Sequence, residues 1–119
     1  MDEERRARRL GKVSQLLKEE IGKIILKDLD LDKNILVTIT RVDTSSDLTH
    51  ATAFFSTIAR DKEEEALAAL TQSVFDIQHV LNRKLRMRPV PKIRFAIDAS
   101  FKKEQRLYDI LSTSHDEKI

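Results

Sequence analysis

Apolar side chains return at steps of three and four near the start of the chain. Leu10, Val13, Leu17, Ile21 and Ile24 form one stripe of a helix expected from about residue 4 to 28. The rhythm then changes. Ile35 to Val42 is β-branched and partly alternating, the polar run Asp43-Thr44-Ser45-Ser46-Asp47 marks a turn, and Thr49 to Thr57 again has strand character. Two strands joined by a short loop are expected. Helical spacing resumes with Leu67, Leu70, Val74, Ile77, Leu81 and Leu85, and Asp61 followed three positions later by Glu64 resembles a capping box for that helix. Pro89 and Pro91 stop it. Ile93, Phe95 and Ile97 then alternate with Lys92, Arg94 and Ala96, as in a half-buried strand. A short amphipathic helix near 102–111 and a polar, mobile tail over 112–119 complete the expected elements.

This order, α-β-β-α-β-α, predicts a two-layer α+β domain over residues 1–111, with helices covering one face of a three-stranded mixed sheet. The helical crossover between the second and third strands makes those two parallel and the connection right-handed. Composition narrows the picture. In 119 residues there are two glycines, two prolines and no cysteine, which excludes a loop-rich sandwich, a disulfide framework and a thiolate metal site. Absence of cysteine suits a reducing compartment, and the cytoplasm is the expected location. No apolar run is long enough for a membrane span, and Met1-Asp2-Glu3-Glu4-Arg5-Arg6 does not have the character of a signal peptide.

The formal net charge is only +2, but the charges are segregated. Residues 5–12 hold five basic side chains and no acid, residues 83–94 hold six and no acid, and the remaining positions sum to −9. Such windows present a local positive field to a polyanion, whatever the total. Arg5, Arg8, Arg9 and Lys12 share a helix face about 120° from the apolar stripe, so charge and packing do not compete. Cations at a helix N-terminus oppose the macrodipole, which Asp2, Glu3 and Glu4 only partly offset, so helix stability does not account for them. Arg83, Lys84 and Arg86 complement the dipole at the end of the second helix, whereas Arg88, Lys92 and Arg94 lie past it. These ten side chains are the candidate contacts to RNA phosphates. Each window read alone is also compatible with a solvated face, and the amphipathic helices with a protein interaction module.

Other chemistry is sparse. Gly11 and Gly22 both fall inside the first helix, so no phosphate-cradling loop is available. His50, His79 and His115 lack zinc-site spacing. Ser46, Asp47 and His50 lie within five positions of one loop, which is turn chemistry rather than a hydrolytic triad, and Asp47 is expected to accept hydrogen bonds from loop N–H groups. Phe54, Phe55 and Phe95 are expected in the core, and no RNP-type run predicts base stacking on the sheet. Shape and phosphate recognition would carry any RNA contact. No catalytic residue, metal, cofactor or small-molecule substrate is expected, and the chain is expected to act as a monomer.

Three segments resemble bacterial ribosome-binding factor A: the helix opening Arg5-Arg6-Ala7-Arg8-Arg9-Leu10; the segment Val37-Thr38-Ile39-Thr40-Arg41-Val42-Asp43-Thr44-Ser45-Ser46-Asp47-Leu48-Thr49-His50-Ala51; and Arg88-Pro89-Val90-Pro91-Lys92-Ile93-Arg94-Phe95-Ala96-Ile97-Asp98. The resemblance covers about residues 5–111. It implies a type II KH-like fold, α-β-β-α-α-β, with a kink replacing the usual G-x-x-G loop between the paired helices. That kink aligns with Ser73, Val74 and Phe75, where the family more often has small residues. It further implies a non-enzymatic factor that binds the small (30S) ribosomal subunit and assists 16S rRNA maturation, especially in the cold. A general KH-type RNA-binding protein is the nearest alternative. Lys92 stands where the family commonly has an acid, which strengthens this basic window.

Overall fold

A computed structural model describes residues 2–29 and 35–99. The helix expected at 102–111 and the tail at 112–119 lie outside the described residues. The elements run α1 (Asp2–Asp28), β1 (Val37–Thr44), β2 (His50–Thr57), a single 3-10 turn (Arg60–Lys62), α2 (Glu63–Lys84) and β3 (Lys92–Ile97). The sheet has the order β1-β2-β3. β1 and β2 are antiparallel, from Val37 opposite Thr57 to Thr44 opposite Ala51. β2 and β3 are parallel, from His50 beside Lys92 to Phe55 beside Ile97, because α2 carries the chain back across the sheet between them.

α1 packs mainly on β1 and α2 on β3, and the helices meet above the middle strand. Leu17, Ile21, Ile24 and Ile25 of α1, Leu70, Ile77 and Leu81 of α2, and Phe55 of β2 form the centre of the core. Ala51 and Ala53 lie under them in β2, where small side chains leave room for two helices. Polar contacts fix the layers. Ser14 Oγ and Thr44 Oγ1 are 2.8 Å apart between α1 and the end of β1. Gln78 of α2 clamps the chain leading into β3: its Oε1 accepts from Ile93 N–H at 2.8 Å, and its Nε2 donates to the Pro91 carbonyl at 3.1 Å.

Three local features differ from the sequence reading. The start of α2 is set by the 3-10 turn, and Lys62 occupies the N-cap with no side-chain cap hydrogen bond, so Asp61 and Glu64 form no capping box. Glu63, Glu64 and Glu65 instead place acids in the first turn, where they favour the dipole. The helix pair expected between β2 and β3 takes the form of one continuous helix of 22 residues, with Ser73, Val74 and Phe75 at its middle. Its sequence contains neither glycine nor proline to open the hydrogen-bond ladder. Finally, β1 has an irregularity between Ile39 and Arg41, where two pairings close around Thr40. This bulge reverses the in-out alternation, turning Val42 into the core and Arg41 outward.

Candidate nucleic-acid interface

Every one of the ten basic candidates is solvent-exposed, but they do not form one patch. α1 carries Arg5, Arg8, Arg9 and Lys12 on its first three turns, ahead of Leu17, its first buried residue. Arg5, Arg9, Lys12 and Leu16 follow one another at steps of four and three and therefore share a stripe of the helix. Leu16 in turn lines a cleft of about 550 Å³ with Glu20, Lys23, Lys84, Leu85, Arg86 and Met87. The two basic windows, more than seventy positions apart in sequence, are thereby brought to one side of the molecule. At 1.5 Å per residue, Lys12 lies about 6 Å and Arg5 about 16 Å along the α1 axis from Leu16.

Within the second window the roles divide. Arg83 and Lys84 close α2, and Arg86 follows at the cleft. Arg88 folds back on the helix end: its Nη1 donates to the carbonyls of Leu85 and Met87, both at 2.7 Å, neutralising part of the negative end of the dipole. Lys92 and Arg94 share the face of β3 opposite the helices, since Ile93 between them is buried under α2. On that open face Lys92 lies beside His50 and Arg94 beside Thr52, whose Oγ1 accepts from Arg94 Nε at 3.1 Å.

Arg41 adds a cation to this face that sequence reading did not single out. Its guanidinium sits 4.0 Å from the centroid of the Phe54 ring, a cation–π contact, and its Nη1 meets Asp43 Oδ2 at 2.9 Å. Phe54 is thus half-buried beneath Arg41 on the open face, whereas Phe55 is fully buried among the helices. Parity counting along β1 conceals Arg41 because the bulge at Thr40 shifts it. Lys23 was also missed, although it continues the Arg5-Arg9-Lys12-Leu16 stripe and could have been found by extending it.

The loop between β1 and β2 is a scaffold. Ser45 N–H donates to the His50 carbonyl at 2.8 Å and Leu48 N–H to the Ser45 carbonyl at 2.9 Å, with Leu48 in the left-handed region at φ 63°. Asp47 Oδ1 accepts from Thr49 Oγ1 at 2.7 Å, Ser45 Oγ at 2.7 Å and Thr49 N–H at 3.1 Å. The hydroxyls of Thr49 and then Ser45, followed by the Thr49 amide, hold the Asp47 carboxyl down at about 2. His50 Nδ1 pairs with Thr49 Oγ1 at 2.9 Å. Asp47 and His50 are thus both engaged by Thr49, an arrangement that shapes a turn. Of the three kink positions, Ser73 and Val74 are half-buried and Phe75 points to solvent. Among the described residues no three histidine, aspartate or glutamate side chains gather as a metal site, and no helix is long and apolar enough to cross a membrane.

Two helices on one face of a mixed three-stranded sheet form an α+β protein with the KH-like architecture that the resemblance implies. The family model described as ribosome-binding factor A matches residues 9–111, and the chain belongs to that family. A ribosome-binding factor A from Rippkaea orientalis is 31% identical over 92% of this chain and 88% of its own length. One from Chlamydia pneumoniae is 35% identical over 87% of this chain and 89% of its own length. The crystal structure of ribosome-binding factor A from Thermus thermophilus superposes with a TM-score of 0.63 at 25% identity, covering 74% of this chain and 94% of that one. A homology model of the Thermus thermophilus protein, fitted into a cryo-EM map of its 30S complex, gives a TM-score of 0.61 at 27% identity over 70% of this chain and 88% of that one.

Proposed function

We propose that this protein is a non-enzymatic assembly factor that binds the small ribosomal subunit and assists maturation of 16S rRNA, with its greatest importance at low temperature. The observation that carries the reading is the α1–α2 cleft, lined by Lys23, Lys84 and Arg86, with Lys12, Arg9 and Arg5 leading away from it along the same stripe of α1 as Leu16, in a chain of this family. The Thermus relative fitted into a 30S complex supports the choice of subunit. Such a factor acts in the cytoplasm as a monomer, and it needs no cofactor. Arg8 and Arg83 flank the cleft stripe and add to its field, while Lys92 and Arg94 offer a second, weaker contact on the open sheet face. Arg88, held on the helix end, positions the linker more than it contacts RNA.

Binding biases the rRNA toward the conformation that fits the factor, and release follows when the mature fold removes that preference. Five phosphate contacts from the cleft stripe give a slope of log affinity against log salt of about −3.5 to −4.5. The test is co-sedimentation with purified 30S and 50S subunits across a salt series. Salt-sensitive binding to 30S alone is expected; a slope near zero, or equal binding to both subunits, refutes the reading.

A further inference from the structure

Phe75 is 81% exposed, more than any other large apolar side chain among the described residues. It sits on α2 about 140° around the helix from the buried Leu70, Ile77 and Leu81, so its exposure follows from the helical phase. His79, Asn82 and Arg83 follow at i+4, i+7 and i+8 and are also exposed. They rise about 6, 10 and 12 Å along the axis from Phe75, and the helix ends one residue beyond Arg83, at Lys84. A flat hydrophobic ring is thereby followed by an imidazole, an amide and a guanidinium group. The nearest acid, Asp76, lies about 100° around the helix, on the side toward which Arg83 turns two turns further on, and it also lines a cleft with Asp28 and Ile24.

We infer that this face of α2 is a stacking platform for an unpaired stretch of RNA, with a base on Phe75, its neighbour along the strand at His79 and Asn82, and the following phosphate at Arg83. The inference rests on the proposed function and specifies the kind of RNA. Charge selects the occupant. The stripe ends in the second basic window, so its field draws a polyanion, and a partner protein covering it would have to match those cations with acids. The ring selects single strands, because a base can lie on an aromatic face only when it is not already stacked and paired in a duplex. This mode lies outside the phosphate-only recognition expected from the sequence.

The chain contains no tryptophan, so Phe75→Trp places a single indole at the platform of the full-length protein. Its fluorescence should be quenched by single-stranded ten-nucleotide oligoadenylate and not by the same oligonucleotide annealed to oligouridylate. Phe75→Ala should weaken binding to the single strand by about five- to a hundredfold with the salt slope unchanged. Phe75→Leu, which stays apolar but loses the flat ring, should weaken it nearly as much. Equal binding by Phe75→Ala and wild type overturns the platform while leaving the function standing; full binding by Phe75→Leu overturns stacking in favour of a general apolar contact. Loss of binding to intact 30S subunits by Phe75→Ala without loss on the oligonucleotide assigns the face to a ribosomal protein instead. Failure of wild type to bind either 30S subunits or the oligonucleotide removes the proposed function and the platform together.

Discussion

The two halves of α1 have the same secondary structure and opposite jobs. From Leu17 onward the helix contributes Leu17, Ile21, Ile24 and Ile25 to the core. Before Leu17, Leu10, Val13 and Ser14 are half-buried and every other described residue is exposed. Folding energy is therefore concentrated in the second half and cationic charge in the first. The Arg-rich turns are rigid because they are continuous with a helix anchored elsewhere, which lets them hold a charged stripe at fixed spacing without being part of the core. A binding surface built this way can change sequence freely without endangering the fold.

That division fails if a core substitution in the second half is harmless. Ile21→Ala should cost about 2–5 kcal/mol, measured by urea denaturation, because Ile21 is fully buried between the helices and the sheet. Charge reversal in the first half should do the converse. Arg5→Glu, Arg9→Glu and Lys12→Glu together should reduce 30S affinity at least tenfold and flatten the salt slope by about 2–3, with thermal stability unchanged or raised by a few tenths of a kcal/mol as the dipole is relieved. A large stability loss in the triple variant would mean that the first half also supports the fold.

Much of this was legible in the sequence. The five main elements follow from periodicity, and both basic windows were visible as composition. The side to which each cation turns was not. Arg41 depends on a bulge that shifts parity, Arg88 on a return to the α2 carbonyls, and the approach of the two windows on the cleft between α1 and the end of α2. These are long-range or irregular features, and local patterns carry no signal for them. Phe75 is a different case: helical phase alone turns it outward, and reading it only as a bulky kink residue hid that.

Gln78 ties α2 to the chain leading into β3 through polar groups, as Ser14 ties the first half of α1 to the end of β1. Gln78→Ala leaves the Ile93 N–H and the Pro91 carbonyl without their side-chain partner and should cost about 1–3 kcal/mol in denaturant unfolding. A smaller loss would show that water replaces the amide there.

Acid makes a subtler distinction. Asp47 has its carboxyl lowered from 3.8 to about 2, so its contribution to the loop is complete above pH 3.8 and is lost as pH falls through 2. The arginines of α1 stay charged throughout this range. The Thr49 amide resonance should therefore titrate with a midpoint near 2 while α1 resonances do not, and Asp47→Asn should abolish the Thr49 transition. A midpoint near 3.8 would show that the loop hydrogen bonds do not persist in solution.

The smallest effect gives the sharpest view of α1. Gly11 and Gly22 lie one in each half, and a Cβ built at either position meets nothing within 4 Å. Alanine should therefore stabilise the helix at both sites, by up to about 1 kcal/mol, through lower backbone entropy in the unfolded chain. The full gain requires that the residue be helical throughout the native ensemble. Gly22 is one residue from the fully buried Ile21 and should return all of it. Gly11 should return nearly as much if the basic half stands as a preformed helix, and much less if those turns fray until RNA is bound. Thermal unfolding of Gly11→Ala beside Gly22→Ala thus measures whether the charged stripe is organised before it meets its partner: equal gains establish a rigid stripe, and a gain at Gly22 alone would make ordering of the first three turns part of the binding cost.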